Sequence, residues 1–251
     1  MAFTVAGESH RGAVRVVNQD RVAWRESADG SRALLLLADG MGGHDGGEVA
    51  SRLAVDAAEE VLKPALDAGD APTPERLRER LARAFQAAGG RVRAARLAEP
   101  RLASMGTTLV AVCLEDGHAG IAHIGDSRCY LMRAGEPPVC LTRDDSVVQN
   151  MIDDGSLRPE DAGRAPFRNV LTRAVGTSED DEPSYRFQTL APGDALLLCS
   201  DGLPEAVAEA EWPAVVAGGV SARDIADRFL ARSLEQGAPD NVSLIFLMMT
   251  S

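Results

Sequence analysis

Residues 34–40 read LLLLADG, an apolar run of strand length that ends in the pair Asp39-Gly40. The same order, an apolar run and then an aspartate, returns at 122–126 and at 196–202. A continuous apolar run bounded by a turn signal is typical of a buried strand. Asp-Gly is also common turn chemistry, so each aspartate taken alone fits a purely structural role. The recurrence predicts buried strands with aspartates collected at their ends.

The pattern around these runs predicts an α+β fold. Apolar runs of strand length occupy 32–38, 107–114, 120–124, 129–132, 195–199 and 242–249. Turn sequences at 115–118 and 133–136 predict hairpins and therefore antiparallel pairing. Helical periodicity predicts helices over 47–66, 74–97 and 221–234. Asp45 is the expected N-cap of the first of these helices, and Thr73 is that of the second. Amphipathic helices between and after runs of strands indicate sheets inside and helices outside.

The organisation of the chain favours one domain over residues 1–251. No repeat, low-complexity block or Pro/Gly/Ser linker divides the sequence. The stretch 143–185 is less periodic and is rich in Asp, Arg and Pro. We expect this stretch to form a flap subdomain at the surface.

Composition and charge exclude several classes of partner. The chain is 45% hydrophobic and 25% charged, and 38 acidic against 26 basic residues give a net charge of −12. This charge disfavours nucleic acid and anionic membranes. No apolar run approaches the roughly 20 residues that span a bilayer, and the first residues lack the features of a signal peptide. We expect a cytoplasmic monomer that binds neither nucleic acid nor membrane.

Cysteine and lysine usage excludes further mechanisms. Cys113, Cys129, Cys140 and Cys199 form no C-x-x-C pair and lie in or beside apolar stretches, which predicts buried thiols. None of them is followed by an arginine at the sixth position, so a cysteine-dependent phosphatase is excluded. The only lysine, Lys63, lies outside a glycine-rich loop, which excludes a P-loop and a kinase.

Five aspartates are candidates for a metal site: Asp20, Asp39, Asp126, Asp201 and Asp240. If they meet at one end of the sheets, their carboxylates repel one another unless cations neutralise them. Oxygen donors of this kind suit hard cations such as Mg²⁺ or Mn²⁺. The carboxylates alone leave open a two-metal phosphodiesterase or nuclease, although the net negative charge disfavours it.

The sequence DGMGGH at 39–44, followed by GEVAS at 47–51, resembles the signature of bacterial metal-dependent Ser/Thr protein phosphatases of the type 2C (PPM) family. Further motifs follow in the order of that family. They are Arg15-x-x-Asn18-Gln19-Asp20, MGTT at 105–108, GDSR at 125–128, LTRDDS at 141–146, NVLTRA at 169–174, LCSDGL at 198–203 and DNVS at 240–243. The resemblance therefore extends over nearly the whole chain.

The resemblance implies an α-β-β-α sandwich, in which two packed antiparallel β-sheets are flanked by helices, with a two-metal centre at one edge. It implies that Asp39 bridges two Mn²⁺ or Mg²⁺ ions and that the backbone carbonyl of Gly40 binds one of them. Asp201 and Asp240 would complete the coordination of the other ion. Asp20 would lie close by and act through water.

Two further roles are implied by the same resemblance. Asp126 would help to bind a third, looser metal, and the alternative is a turn carboxylate paired with Arg128. Arg15 matches the arginine that holds the substrate phosphate, because a guanidinium fork suits two phosphate oxygens. The alternative for Arg15 is a surface arginine on a first strand.

The implied reaction is hydrolysis of phosphoserine and phosphothreonine on proteins. A metal-activated hydroxide would attack phosphorus in line, without a phosphoenzyme, with Arg15, Asp39 and Asp201 as the catalytic residues. The implied partners are phosphorylated proteins, either targets of a bacterial Ser/Thr kinase or the kinase itself. A catalytically inactive relative that serves as a sensor or scaffold is the alternative from another functional class.

Some positions depart from the family pattern. Met41, as in bacterial relatives, stands where eukaryotic relatives carry a proton-donating histidine, and it cannot donate a proton. Gln19 replaces a frequent glutamate and would ligate only weakly. Asp145 replaces a histidine where the flap begins, which adds negative charge. For His44 we favour a structural role at the start of a helix over that of a proton donor.

Overall fold

The structure is a computed structural model that describes residues 2–43, 46–68 and 71–250. The predicted N-cap Asp45 and the neighbouring His44 lie outside the described residues. The strands are β1 (Phe3–His10), β2 (Asp20–Glu26), β3 (Arg32–Met41), β4 (Gly106–Thr107), β5 (Leu109–Glu115), β6 (His118–Ile124), β7 (Arg128–Met132), β8 (Val139–Cys140), β9 (Ser184–Thr189), β10 (Ala195–Cys199) and β11 (Val242–Met249). The helices are α1 (Gly46–Leu62), α2 (Pro74–Ala98), α3 (Val147–Asp153), α4 (Gly202–Ala206), α5 (Trp212–Val216) and α6 (Ala222–Glu235).

The strands form two antiparallel sheets that pack face to face. One sheet has the order β1-β11-β10-β7-β8, and the other has the order β2-β3-β5-β6-β9 with β4 paired to β3. Alternate residues of a strand point to opposite faces. Leu35 therefore packs between the sheets, while Leu36 packs against α1 and α2 on the outer face. On the other sheet Phe246 packs in the outer layer that contains Phe229 of α6. This arrangement confirms the predicted sandwich with helices outside.

Most predicted elements are present, with small changes at their ends. β10 and β11 have the predicted bounds, and the predicted strand over 107–114 is interrupted at Thr108. The hairpin between β5 and β6 turns through Asp116 and Gly117, both at positive φ, as Asp-Gly turns require. α1 ends at Leu62 and continues as a 3-10 turn over Lys63–Asp67, where Pro64 cannot donate a helical hydrogen bond.

Smaller predictions are confirmed in part. The Thr73 side chain accepts a hydrogen bond from the Arg76 amide at 3.3 Å, so it caps α2 as expected. The prediction of four buried thiols is wrong for Cys140, which is exposed because it lies on the short edge strand β8. In the described part of the chain, no helix combines the length and the apolar composition that a membrane crossing requires.

Candidate active site

A cavity of about 600 Å³ opens where strands of the two sheets end. Six of the seven predicted site residues line it, namely Arg15, Asp39, Gly40, Asp126, Asp201 and Asp240. The seventh, Asp20, is buried at the start of β2 and is paired in register with Asp39 of β3. A second cavity of about 510 Å³ shares Asp126 and Asp201 and extends towards α3 and α4. The structure thus brings the predicted residues together at one edge of the sandwich.

The pairs Asp39-Gly40 and Asp201-Gly202 do not form the turns that the sequence predicts. β3 continues through Gly40 to Met41, and Gly202 begins α4, so neither glycine closes a turn. A Cβ atom at Gly40 would lie 1.9 Å from the carbonyl oxygen of Gly47, and one at Gly202 would lie 2.0 Å from that of Asn241. Both glycines are therefore required because another stretch of backbone passes too close for any side chain.

The backbone around Asp39 is fixed by two threonines. The Asp39 amide donates to the Thr108 hydroxyl at 2.8 Å, and the Asp39 carbonyl accepts from the Thr108 amide and the Thr107 hydroxyl, each at 2.8 Å. These bonds coincide with the break between β4 and β5 at Thr108. The interruption of the predicted strand therefore serves to hold Asp39 at the cavity.

Asp20 lies behind the cavity with one oxygen unsatisfied. The Ser200 hydroxyl donates to Asp20 Oδ2 at 2.8 Å and accepts from the Ser243 amide at 3.1 Å. Asp20 Oδ1 is buried and has no hydrogen-bond partner among the described residues. The pKa of Asp20 is raised to about 7, mainly by burial, with the hydrogen bonds of Ser243 and Ser200 lowering it and the charges of Asp201 and Asp240 raising it. A buried, unpartnered carboxylate oxygen is costly unless a cation or proton meets it.

Three of the carboxyl groups that line the cavity, those of Asp39, Asp126 and Asp201, also have a raised pKa. Burial raises the pKa of Asp126 to about 7 and that of Asp201 to about 6, with neighbouring carboxylates adding to both. The pKa of Asp39 lies well above its usual range, again through burial first and then through the charges of Asp20 and Asp201. The cavity therefore gathers carboxyl groups whose burial and mutual repulsion disfavour their charged forms.

Arg15 also lines the cavity, and it lies on the loop between β1 and β2. Its Nη2 atom lies 2.6 Å from Asp240 Oδ2, and its side chain is half exposed. The alternative that placed Arg15 on a strand is wrong, because the chain leaves β1 after His10. Arg15 is thus held at the cavity by one of the predicted metal-binding aspartates.

Asn241 is a positioning residue that the sequence reasoning did not single out. Its Nδ2 atom donates to the carbonyls of Arg11 at 3.0 Å and Val17 at 2.9 Å, on both sides of Arg15. Its Oδ1 atom accepts from the Gln19 amide at 2.8 Å. An amide has the donors and acceptor for all three bonds at once. The signal in the sequence was its place in the motif DNVS at 240–243, directly after Asp240.

The predicted alternative for Asp126, a pair with Arg128, is wrong. Arg128 instead makes a bidentate contact with Asp144 at 2.7 and 2.9 Å and reaches Glu209 at 3.3 Å. Asp144 lies at the beginning of the flap and Glu209 in the turn before α5, and Arg128 and Asp144 line the second cavity together with Asp126. Asp126 is left to line both cavities.

The positions that depart from the family pattern have distinct surroundings. Gln19 lines the cavity and donates to the Gly43 carbonyl at 3.0 Å, and Met41 lines the cavity as well. Asp145 is buried and accepts from the Gly125 amide at 3.0 Å and from Arg173 Nη1 at 3.4 Å. Its negative charge is therefore compensated by Arg173, and Asp145 is not among the residues described at the cavity.

The side chains do not form a closed ligand set as they stand. Within the described ranges, no group of three or more acidic, histidine or cysteine side chains is arranged to hold an ion directly. Asp20 is turned to Ser200 and Asp240 to Arg15. The carboxylates therefore surround a common space without converging on one point.

Comparison with known proteins identifies the family. A sequence model described as "Protein phosphatase 2C" matches residues 6–242. The chain belongs to the protein phosphatase 2C family. This assignment confirms the resemblance found in the motifs, and it accounts for their common order along the chain.

Two relatives and one solved structure show how far the family likeness extends. The chain is 38% identical over 248 residues to the serine/threonine protein phosphatase PstP of Mycobacterium tuberculosis, covering 98% of this chain but 45% of that protein. It is 34% identical over 240 residues to the serine/threonine phosphatase stp of Listeria innocua, covering 94% of this chain and 92% of the relative. The crystal structure of the PstP catalytic domain in complex with 2 manganese ions has a TM-score of 0.84, 35% identity and 99% coverage of both chains. The chain thus spans about half the length of PstP and nearly all of stp.

Proposed function

We propose that this chain hydrolyses phosphoserine and phosphothreonine on proteins with the help of divalent cations, and that it opposes a bacterial Ser/Thr kinase. The observation that carries the proposal is the meeting of Arg15 with four partly buried carboxylates around one cavity. An arginine beside an acidic cation site suits a phosphate, because the cations and the guanidinium together bind its oxygens. The names of the relatives PstP and stp support the same activity.

The residues of the cavity fit divalent cations. The donors are all oxygens, and Asp20 has a buried oxygen without a hydrogen-bond partner in the described structure. Asp39, the Gly40 carbonyl, Asp201 and Asp240 would hold two Mn²⁺ or Mg²⁺ ions, with Asp20 acting through water. The manganese ions in the PstP structure support this choice of metal.

A third cation site is part of the proposal. Asp126 lines both cavities, and burial together with the charges of Asp201 and Asp144 raises its pKa. Its carboxylate is the ligand that we assign to a third, looser ion. The cations, when bound, would lower the pKa of a water molecule and neutralise charge on the phosphate.

The chain's own residues would bind and orient the substrate. Arg15 would hold two phosphate oxygens, and Asn241 keeps the loop of Arg15 in place through its bonds to Arg11 and Val17. Water would attack phosphorus in line as the serine or threonine oxygen leaves. Met41 has no proton to give to that oxygen, and water at the third cation site beside Asp126 would supply it. The lining that the structure describes contains no cysteine to form a covalent intermediate.

The proposal includes the organisation and setting of the chain. We propose one catalytic domain over residues 1–251 with a flap at 143–185. The pair of Asp145 with Arg173 supports the flap, because it joins the beginning of this stretch to a residue near its end. The proposed partners are phosphorylated targets of a Ser/Thr kinase or the kinase itself, met by a cytoplasmic monomer that binds neither nucleic acid nor membrane.

The test is release of inorganic phosphate from a phosphothreonine peptide by the purified chain, with and without added Mn²⁺. We expect release that depends on the metal and is lost in Asp39→Asn. Double-stranded DNA and a small phosphodiester, bis(p-nitrophenyl) phosphate, serve as comparison substrates. Hydrolysis of these in preference to the peptide, or no hydrolysis at saturating metal, would contradict the proposed function.

A further inference from the structure

Three exposed valines surround the proposed phosphate-binding arginine. The exposed fractions are 68% for Val14, 85% for Val16 and 38% for Val17. Single exposed apolar residues are ordinary on a protein surface, but an apolar group gathered at a cavity indicates a binding surface. Val16 and Val17 line the same cavity as Arg15. The apolar surface is therefore continuous with the place where the phosphate is proposed to lie.

The loop that carries these valines is held in place at both ends. The Ala13 amide donates to the Ala238 carbonyl at 2.9 Å, just before Val14. After Arg15, the Val17 carbonyl accepts from Asn241 at 2.9 Å. The valines are thus presented outward by a fixed backbone. Because a β-branched side chain has few rotamers, little conformational entropy is lost when another molecule covers it.

A second segment of the chain also brings apolar side chains to the cavity or next to it. Leu171 lines the cavity, and the neighbouring Val170 has 48% of its surface exposed. These two residues belong to the proposed flap, whereas Val16 and Val17 belong to the loop between β1 and β2. A peptide bound in the cavity would therefore meet aliphatic surface from two separate segments of the chain.

The charge of the surroundings argues against a lipid surface as the occupant. The chain has a net charge of −12, and Asp39, Asp126, Asp201 and Asp240 line the cavity beside the valines. Anionic membranes would be repelled by this surface. A phosphorylated peptide with uncharged, aliphatic neighbours brings its one anionic group to Arg15 and covers the valines with apolar atoms.

We propose that the valines flanking Arg15 select phosphopeptides that carry aliphatic residues directly beside the phosphorylated residue. The proposal rests on the proposed function and names the substrate class of the same site. Val16 and Val17 are specificity-determining residues for the flanking side chains, and Arg15 is the contact for the phosphate. Burying aliphatic atoms of the peptide against these valines is the source of the preference.

The test compares two phosphothreonine peptides that differ only in the residues directly flanking the phosphothreonine, both leucine in one and both serine in the other. We expect the wild-type chain to show a kcat/KM about tenfold higher for the leucine peptide. This ratio is at the lower end of the discrimination that one small apolar contact provides. The double variant Val16→Ser, Val17→Ser should bring this ratio close to one. Val220→Ser is the matched control, since Val220 is 86% exposed and lies on the loop before α6, and it should keep the wild-type ratio.

The outcomes separate this proposal from the proposed function. If neither peptide is hydrolysed at saturating Mn²⁺, the proposed function itself fails. If both are hydrolysed equally well by the wild-type chain, or if the double variant keeps the preference, the valines do not select the substrate. A concentration-dependent dimer in sedimentation that the double variant abolishes, without a peptide preference, would show that a second copy covers the valines instead. Arg15→Ala should slow both peptides alike and leave their ratio unchanged.

Discussion

Arg15 Nη2 lies 2.6 Å from Asp240 Oδ2. The residue proposed to hold the phosphate and a residue proposed to hold a cation are therefore direct partners, although 225 positions separate them in the sequence. A carboxylate shared in this way can restrain the guanidinium beside the cation site without a further residue. Because the two side chains are in contact, we expect the effects of mutating them to be coupled.

For Arg15→Ala we expect a KM raised several-fold together with a lower kcat, because the arginine contacts phosphate in both the ground state and the transition state. Arg15→Lys should restore only part of the loss, since an ammonium lacks the bidentate fork. Steady-state kinetics and inhibition by free phosphate measure both effects. Arg158→Ala is the control, because Arg158 is also exposed and paired with acidic residues but lies on the proposed flap. Unchanged KM and phosphate inhibition in a folded Arg15→Ala protein would place the phosphate elsewhere.

Asp39→Asn and Asp201→Asn should each lower kcat at least about a hundredfold at saturating metal, since each removes a charge that neutralises the cations. Asp227→Asn, on the exposed side of α6, should leave kcat unchanged. Circular dichroism checks that the fold is intact. A variant of Asp39 or Asp201 that keeps more than about a tenth of the wild-type rate would refute its assignment as a ligand.

The same Asp39→Asn change should raise the melting temperature of the metal-free protein. Burial and neighbouring carboxylates hold the pKa of Asp39 well above its usual range, so its charged form destabilises the folded state. The uncharged amide removes that cost. Differential scanning calorimetry in the presence of a chelator measures the shift. A lower melting temperature than wild type would show that the carboxylate stabilises the fold by itself.

Chelation should abolish turnover reversibly, and added Mn²⁺ should raise the melting temperature. Oxygen ligands alone hold hard cations loosely enough for a chelator to remove them. A ligand that binds only the folded chain stabilises it by mass action. Activity assays and calorimetry over a Mn²⁺ titration measure the two effects. Full activity after exhaustive chelation and dialysis would overturn the metal proposal.

His123 gives a prediction about pH. Burial lowers the pKa of His123, which opposes the raising effect of its hydrogen bond to the Arg143 carbonyl. Below about pH 6.5 the unfolded chain binds a proton at this residue that the folded chain does not, so the folded state loses stability as the pH falls. His123→Gln should lose less stability than wild type between pH 7 and pH 5 in urea unfolding. His118→Gln is the control, because His118 is exposed. An equal change of unfolding free energy with pH in His123→Gln and wild type would show that His123 has the same pKa in the folded and unfolded states.

The buried parts of the fold were predictable from the sequence. β10 and β11 were found with their bounds because a strand covered on both faces is a continuous apolar run. All four edge strands, β1, β2, β8 and β9, were missed, because they are short or carry exposed residues that break this run. The short helices α3, α4 and α5 offer too few turns for helical periodicity to appear.

The candidate site was predictable in its residue types and not in its contacts. Four of the aspartates stood out because each follows or precedes a buried strand, whereas Asp20 begins the edge strand β2. The Asp-Gly pairs were misread as turns, since the close approach of Gly47 to Gly40 depends on tertiary packing. The bonds of Asn241 to Arg11 and Val17 join distant parts of the chain, so no local pattern indicates them.

The hydrogen bond between Asp20 and Ser200 connects the two sheets, since Asp20 begins β2 of one sheet and Ser200 follows β10 of the other. The site therefore exists only while both layers remain together. When the two sheets of a partly folded or heat-damaged chain separate, each sheet carries some of the site aspartates, and neither carries all of them. Under the proposed function, phosphatase activity therefore requires both sheets to be packed together, and a chain that has lost this packing does not remove phosphate from its substrates.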